Sequence, residues 1–350
     1  MSIQKLKVTA VKQEVNEVIT IVLDTQGSDR FLYKAGQFIT LVFSRGNKEL
    51  RRSYSCYSSP VLDEPLAIAV KLVENGEISR FLHQEIKVGE EVEVLEPNGL
   101  FFYEPAAEKR RTVFLFAAGV GITPLFSILK TALVAEHYTK VVLIYSARSA
   151  SETLFFGDLK TWQNQFPNRF VMINLFSNAK NLLRARLNGF LVQELIDEHL
   201  QYAKEDALFY TCGPVDYMDV CRISILGAGY LPEQVKRETF VLPEDEIDED
   251  DSTEKVIDKN TYSVSLLFQG EVHQLEVPWP KRILDVALEH KIKIPYSCSS
   301  GVCSTCAATC TSGGVRMDYN EVLTDDEIAA GRVLVCTGHP TENNTTIIWD

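Results

Sequence analysis

Cys298, Cys303 and Cys306 stand in the segment CSSGVCSTC, and Cys336 follows 30 positions after Cys306 in GRVLVCTGHP. A C-x4-C-x2-C triplet with a distant fourth cysteine constrains this chain more than any other feature, because that spacing holds two irons and two sulfides. Two irons need four thiolates. Three come from one tight loop, whose small residues let backbone N–H groups approach the sulfurs. Gly301 relieves crowding in that loop, and Cys336 is expected on or just after a short apolar strand that returns to it. The alternatives are a zinc site or buried free thiols. Zinc sites usually pair two C-x2-C units, and only one is present. Cys56, Cys212, Cys221 and Cys310 have no comparable spacing and read as small apolar side chains.

A cluster module fills only the last quarter of the 350 residues, which leaves room for two further domains. Charge is uneven along the chain. Residues 1–242 hold 27 basic against 28 acidic side chains, residues 243–262 sum to −7 and residues 263–350 to −5. This balance argues against a nucleic-acid partner. The acid near the cluster suggests a docking protein that offers basic residues, and solubility alone explains it equally well. The start MSIQKLKVTA has no apolar core of a signal peptide. The apolar run Val113 to Leu129 is broken by Gly119, Gly121, Thr123, Pro124 and Ser127, so it reads as strand, turn and helix rather than a membrane span. The expectation is a soluble protein of the reducing cytoplasm, where thiols and clusters survive, with no membrane partner.

The first hundred residues read as strands at Lys5 to Val11, Val18 to Asp24, Ile39 to Phe43, Leu66 to Val73 and Val92 to Leu95, with one short helix near Ile78 to His83. That is an antiparallel β-barrel pattern. From Thr112 the period changes to strand, Gly-rich turn and helix, with further strands at Val141 to Ser146, Phe170 to Phe176 and Leu208 to Thr211, the mark of a parallel α/β unit. The segment Pro243 to Asn260 is too acidic and too poor in apolar residues to pack, and reads as a tether. Two strands (Tyr262 to Phe268, Val272 to Val277) and a helix near Ile283 to His290 precede the cluster loop. The expected division is 1–105, 106–242, a linker 243–261, and 262–350.

Within the barrel, Arg52, Ser53, Tyr54 and Ser55 begin RSYSCYSSP, which resembles the R-x-Y-S-x-x-S-x-P flavin motif of the ferredoxin–NADP reductase superfamily. The resemblance implies FAD rather than FMN. It implies that Arg52 pairs with the pyrophosphate, that Tyr54 packs on the isoalloxazine ring, and that Ser55 hydrogen-bonds near N5. Each role suits the residue's chemistry. It also puts Ser53 and Lys71 among the cofactor contacts. Likewise Gly76, Ile78 and Ser79, in GEIS, resemble a second pyrophosphate contact at a helix start. PNGLF, Pro97 to Phe101, matches the segment that closes the family's barrel.

The turn AAGVGITP carries Gly119 and Gly121, then Thr123 and Pro124, the superfamily's form of the nicotinamide-nucleotide turn; by itself it could be an ordinary strand-to-helix turn. TCGP, with Cys212, Gly213 and Pro214, and RETF, with Glu238 and Phe240, lie by the nicotinamide and flavin in the family. The resemblance therefore implies that Ser55, Cys212 and Glu238 stand at the hydride-transfer point, although Cys212 also reads as a core thiol. Arg148 sits where relatives keep a base for a 2′-phosphate, and Arg184 and Arg186 follow the next strand. Ser177 and Asn178 replace a Ser-Arg pair found in NADPH enzymes. NADPH is weakly favoured over NADH.

The order flavin barrel, nicotinamide α/β domain and C-terminal α+β β-grasp ferredoxin resembles the reductase components of bacterial multicomponent oxygenases. PYSCSSGVCSTC and LTDDEIAAGRVLVC are most similar to the phenylacetyl-CoA epoxidase group. The resemblance implies an NAD(P)H-dependent oxidoreductase that passes electrons through FAD and a [2Fe–2S] cluster, held by Cys298, Cys303, Cys306 and Cys336, to an acceptor protein that is an oxygenase component. Two other readings stand beside it: a reductase serving a desaturase or hybrid-cluster protein, and a non-enzymatic redox relay.

Overall fold

The computed structural model describes residues 3–25, 31–45, 48–179, 185–240 and 260–349. Residues 243–259 of the expected tether, and Arg184, lie outside them. The chain divides into two compact units, Ser2–Phe240 and Val241–Asp350.

The first unit opens with β1 (Ile3–Val15), β2 (Val18–Asp24), β3 (Phe38–Arg45), β4 (Lys48–Ser55), β5 (Leu66–Lys71), α1 (Glu77–Gln84) and β6 (Glu91–Asn98). The strands form one antiparallel sheet in the order β4-β3-β6-β1-β2-β5. Its two edges meet where Cys56 bridges Ile68 and the Tyr57 N–H donates to the Ala67 carbonyl at 2.9 Å. Inward residues such as Val8, Ile21, Leu23, Ile39, Ile68 and Val94 fill the barrel. Strand β4 is not among the five expected, because KELRRSYS carries four charged residues and little apolar alternation. Its pairing with β3 along all eight residues holds it in place.

Next come β7 (Thr112–Ala118), a 3₁₀ turn (Gly119–Gly121), α2 (Ile122–Ala135), β8 (Lys140–Ala147), α3 (Phe156–Gln165), β9 (Phe170–Phe176), α4 (Gly189–His199), β10 (Leu208–Cys212), α5 (Val215–Gly227) and β11 (Val235–Glu238). These strands are parallel in the order β11-β10-β7-β8-β9. Strand β7 is buried on both faces, as a central parallel strand must be. Helix α2 is buried at every position from Ile122 to Leu133, which is what a helix apolar all round requires. It packs between the parallel sheet and the barrel in a single core that joins Val18, Ala69 and Phe101 to Leu115, Leu129 and Leu143. Among the described residues no helix is long and apolar enough to cross a membrane.

The second unit contains β12 (Thr261–Phe268), β13 (Glu271–Pro278), α6 (Ile283–Glu289), β14 (Ala307–Ser312), β15 (Val315–Met317), α7 (Asp325–Ala329), β16 (Arg332–Leu334), β17 (Gly338–Pro340) and β18 (Thr345–Ile348). Its main sheet runs β13-β12-β18-β14-β16, with β12 and β18 parallel and the other pairs antiparallel. Helix α6 packs on the inner face with Ile283, Leu284 and Val286 in the core. Thr324 and Glu327 cap α7 reciprocally, which fixes the turn that leads through β16 to Cys336.

Candidate functional site

In the first unit a cleft of about 770 Å³ opens at the C-terminal ends of β7, β8 and β9. There the strand order reverses between β7 and β10, the place where open α/β sheets bind nucleotides. Its floor includes Gly119 and Pro214, its sides Ser146, Arg148, Ser177 and Arg186, and its barrel wall Asn16, Val18 and Lys71.

Two tight turns bring backbone to this floor. Gly119 lines the cleft at φ +55°, with open space where a Cβ would stand. A Cβ on Gly121 would run into the Cys212 carbonyl, and one on Gly213 would meet the Ala118 Cβ at 2.8 Å. The two turns are therefore pressed together and tolerate no side chain at Gly121 or Gly213. Two tyrosines brace them, the buried Tyr145 donating to the Gly119 carbonyl at 2.9 Å and the partly buried Tyr217, which also lines the cleft, to the Ala117 carbonyl at 3.1 Å. Neither tyrosine is expected from sequence, since LIYSA and DYMDV read as ordinary strand and helix.

Several candidate residues point elsewhere. Thr123 is buried, and its hydroxyl donates to the Val120 carbonyl at 3.0 Å; Pro124 is buried in the first turn of α2. The Cys212 thiol lies in the apolar core, where burial, and after it the Glu238 carboxylate, pushes it far above the ordinary thiol range. Cys212 and Glu238 are register partners at the ends of β10 and β11. Phe240 is exposed. Arg148 is 77% exposed and lies 4.0 Å from Glu152, which also lines the cleft.

On β4, Arg52 is exposed and donates to the Arg51 carbonyl at 2.7 Å, while Ser53 contacts the Thr40 hydroxyl at 3.0 Å. Burial raises the Tyr54 phenol, with Arg52 opposing. Ser55 is 4% exposed, and its hydroxyl has no hydrogen-bond partner. A buried hydroxyl without a partner costs free energy unless something else satisfies it, which fits a bound polar ring edge. Ile78 is in the barrel core, and the Ser79 hydroxyl accepts from the Val73 N–H at 3.1 Å. Gly76 caps α1, where a Cβ would meet the Ser79 hydroxyl at 2.5 Å. What α1 offers outward is its first-turn N–H groups.

In the second unit the four candidate thiols come together. The Cys298 thiol lies beside those of Cys303 and Cys336, and the Cys336 thiol also beside that of Cys306. The Cys298 N–H donates to the Cys303 sulfur and the Ser300 N–H to the Cys298 sulfur, each at 3.4 Å. Contact with Cys303 and then Cys336 pulls Cys298 far below the ordinary thiol range, while Cys303 and Cys336 are raised in exchange. Among the described residues no three Cys, His, Asp or Glu side chains are arranged to hold one metal ion. The four thiols form one linked set drawn from the loop and its returning strand, the donor chemistry that a two-iron, two-sulfide cluster needs. Gly301, at φ +78°, lets the loop pass the Tyr319 carbonyl, which a Cβ would approach to 2.6 Å. Cys310 lies apart on β14, its sulfur donating to the Ser312 carbonyl.

Three family models match in chain order: an oxidoreductase FAD-binding domain at residues 5–103, an oxidoreductase NAD-binding domain at 115–222, and a 2Fe-2S iron-sulfur cluster binding domain at 267–341. A component of the 1,2-phenylacetyl-CoA epoxidase of Escherichia coli K12 is 30% identical, covering 99% of this chain and 97% of its own. The chain belongs to the three-domain oxygenase-reductase family. The ferredoxin reductase component of 3-ketosteroid-9-alpha-monooxygenase from Rhodococcus rhodochrous is 31% identical to this reductase over 98% of it and 95% of the relative. Phthalate dioxygenase reductase shares the fold, with TM-score 0.63 and 22% identity over 99% and 98% of the two chains. The reductase is an NAD(P)H-dependent oxidoreductase that takes FAD, a pyridine nucleotide and a [2Fe–2S] cluster.

Proposed function

We propose that this chain draws electrons from NADPH or NADH and delivers them one at a time to an oxygenase component, with residues 1–105 holding the flavin, 106–242 the nucleotide and 262–350 the cluster, joined by the linker 243–261. The observation that carries this reading is the meeting of Cys298 with Cys303 and of Cys306 with Cys336, in a chain whose flavin and nucleotide parts share one core. The relatives' names, one from an epoxidase and one from a ketosteroid monooxygenase, support an oxygenase as acceptor.

When bound, the flavin supplies the exchange between a two-electron hydride and single electrons, and the cluster supplies a one-electron exit. The protein's own work is placement. The Gly119 to Gly121 and Cys212 to Pro214 turns let the nucleotide lie against backbone, with Arg148 and Arg186 beside its outer end. Arg52 and the first-turn N–H groups of α1 take the flavin pyrophosphate, Tyr54 covers the ring, and the Ser55 hydroxyl gains its partner at the ring edge. Cys212 contributes through its backbone and Glu238 through its position beside it. No side chain needs to act as a strong acid or base, because rate comes from close approach in a water-poor stack.

The test is to purify the protein with whatever acceptor co-purifies, and to measure NADPH- and NADH-driven turnover of that acceptor with wild type and Cys336→Ser. The expected result is substrate oxygenation that wild type supports and the variant does not, while ferricyanide reduction through the flavin persists. An acceptor that desaturates its substrate would replace the oxygenase reading.

A further inference from the structure

The segment that follows Ser55 leaves the barrel and is fastened to α2. The Ser127 hydroxyl donates to the Ser58 carbonyl at 2.6 Å, and the Ser59 and Thr131 hydroxyls meet at 2.7 Å. Glu64 accepts from the Ser59 N–H and from Lys130 Nζ, the latter at 2.5 Å. Lys130 is 3% exposed, and its ammonium also lies 4.8 Å from the Phe126 ring centroid and 5.6 Å from that of Tyr57. The Tyr57 ring packs on Phe155 at 4.7 Å, and Phe155 on Phe126 at 5.0 Å. Phe155 sits at φ 60°, a conformation that a bulky residue adopts only when its surroundings force it.

A buried ammonium, two hydroxyl links and a strained aromatic are an expensive way to join two surfaces. Well-packed apolar side chains would hold them as tightly. What an ion pair adds is direction: it fixes which atoms face which. One end of this junction lies within nine residues of Ser55, and the other lies on α2, whose N-cap is Gly121.

We infer that Lys130 is a positioning residue for hydride transfer: through Glu64 it sets the strand carrying Ser55 against the helix that starts at the glycine turn, and so sets how closely the nicotinamide meets the flavin edge. This rests on the placement of the two cofactors proposed above. Misplacement of about an ångström costs up to a hundredfold in rate without loss of binding.

The experiment compares full-length wild type with Lys130→Met, Lys130→Arg and Glu64→Gln. For each, bound flavin, thermal midpoint, KM for the nucleotide, the rate of flavin reduction on rapid mixing with NADPH or NADH, and the long-wavelength absorbance of the stacked rings are measured. Lys130→Met is expected to keep its flavin and KM, to lose about ten- to a hundredfold in reduction rate, and to show a weakened stacking band; Lys130→Arg recovers part of both. Should Lys130→Met not fold, Glu64→Gln, at a partly exposed carboxylate, is expected to show a smaller loss in the same direction. Reduction at the wild-type rate in the folded variants, or a loss matched by equal loss of flavin, would overturn the inference. A wild-type protein that neither nucleotide reduces would overturn the cofactor placement and this inference with it.

Discussion

The two units build their sites from different parts of the chain. In the second, the candidate ligands are side chains at fixed spacing in one loop and its returning strand. In the first, the glycine turns bring backbone close at the cleft floor while Lys71, Arg148 and Arg186 line its sides, and the side chains of the motif letters Ile78, Thr123 and Pro124 turn inward to hold that backbone in place. A site made of side chains fails when a ligand atom is removed. A site made of backbone fails when an atom is added.

The sharpest way to break this contrast is Cys303→Ser. It should abolish the cluster's EPR signal while flavin stays bound, whereas Cys310→Ser should leave the signal intact; a cluster that survived the first change would mean the ligands are not these four. Glu136 comes next. Its side chain is wholly buried and held by Arg111, Thr139 and the Ala106 N–H. Burial pushes its carboxyl up, but those hydrogen bonds outweigh burial and hold it below the ordinary carboxylate value. The carboxylate's contribution is therefore complete above about pH 4.5 and is lost as pH falls through the lowered value in the folded protein. Glu136→Ala should cost about 3 kcal/mol or more and remove that acid dependence, as read by thermal unfolding from pH 3 to 7.

Gly121→Ala adds one methyl group against the Cys212 carbonyl and should cost about 1–3 kcal/mol in stability, with nucleotide binding weakened further. Gly119→Ala meets no atom and should cost only the left-handed backbone strain, ~1 kcal/mol. If the two alanine variants behaved alike in calorimetry and nucleotide titration, the backbone account of the cleft would be wrong. The smallest effect is expected at Arg148→Ala. Its side chain is mostly exposed and shared with Glu152, so a contact to a 2′-phosphate is worth ~1 kcal/mol, or roughly a fivefold rise in KM for NADPH with little change for NADH. Equal shifts for both nucleotides would remove Arg148 from the phosphate.

What could be read from the sequence follows the same contrast. The thiol spacing was legible because coordination is written in residue identity. The glycines of the turn were legible as glycines, but the tyrosines that brace them, Tyr145 and Tyr217, were not, since a buried hydroxyl's target is a carbonyl that no residue code announces. Strand β4 went unread as a strand because its charges hide its period, although its motif was plain. The Lys130 and Glu64 junction spans 66 positions, and nothing local marks either residue as buried or paired.

In the second unit's sheet, β12 and β13 are joined by a tight turn, and β14 and β16 pair across the segment that holds β15 and α7. Only β18 joins the two halves, and its partners in β12 lie 81 positions earlier. Closing so long a loop is slow relative to making hairpins. The loop bearing Cys298, Cys303 and Cys306 is therefore expected to gain its support from β18 late. Until then the thiols are open to oxidation, and disulfides competing with metal insertion would trap the chain in a form that cannot take a cluster. Yield of loaded protein should therefore depend on how reducing the surroundings are while the chain is being made, more than on how stable the finished unit is.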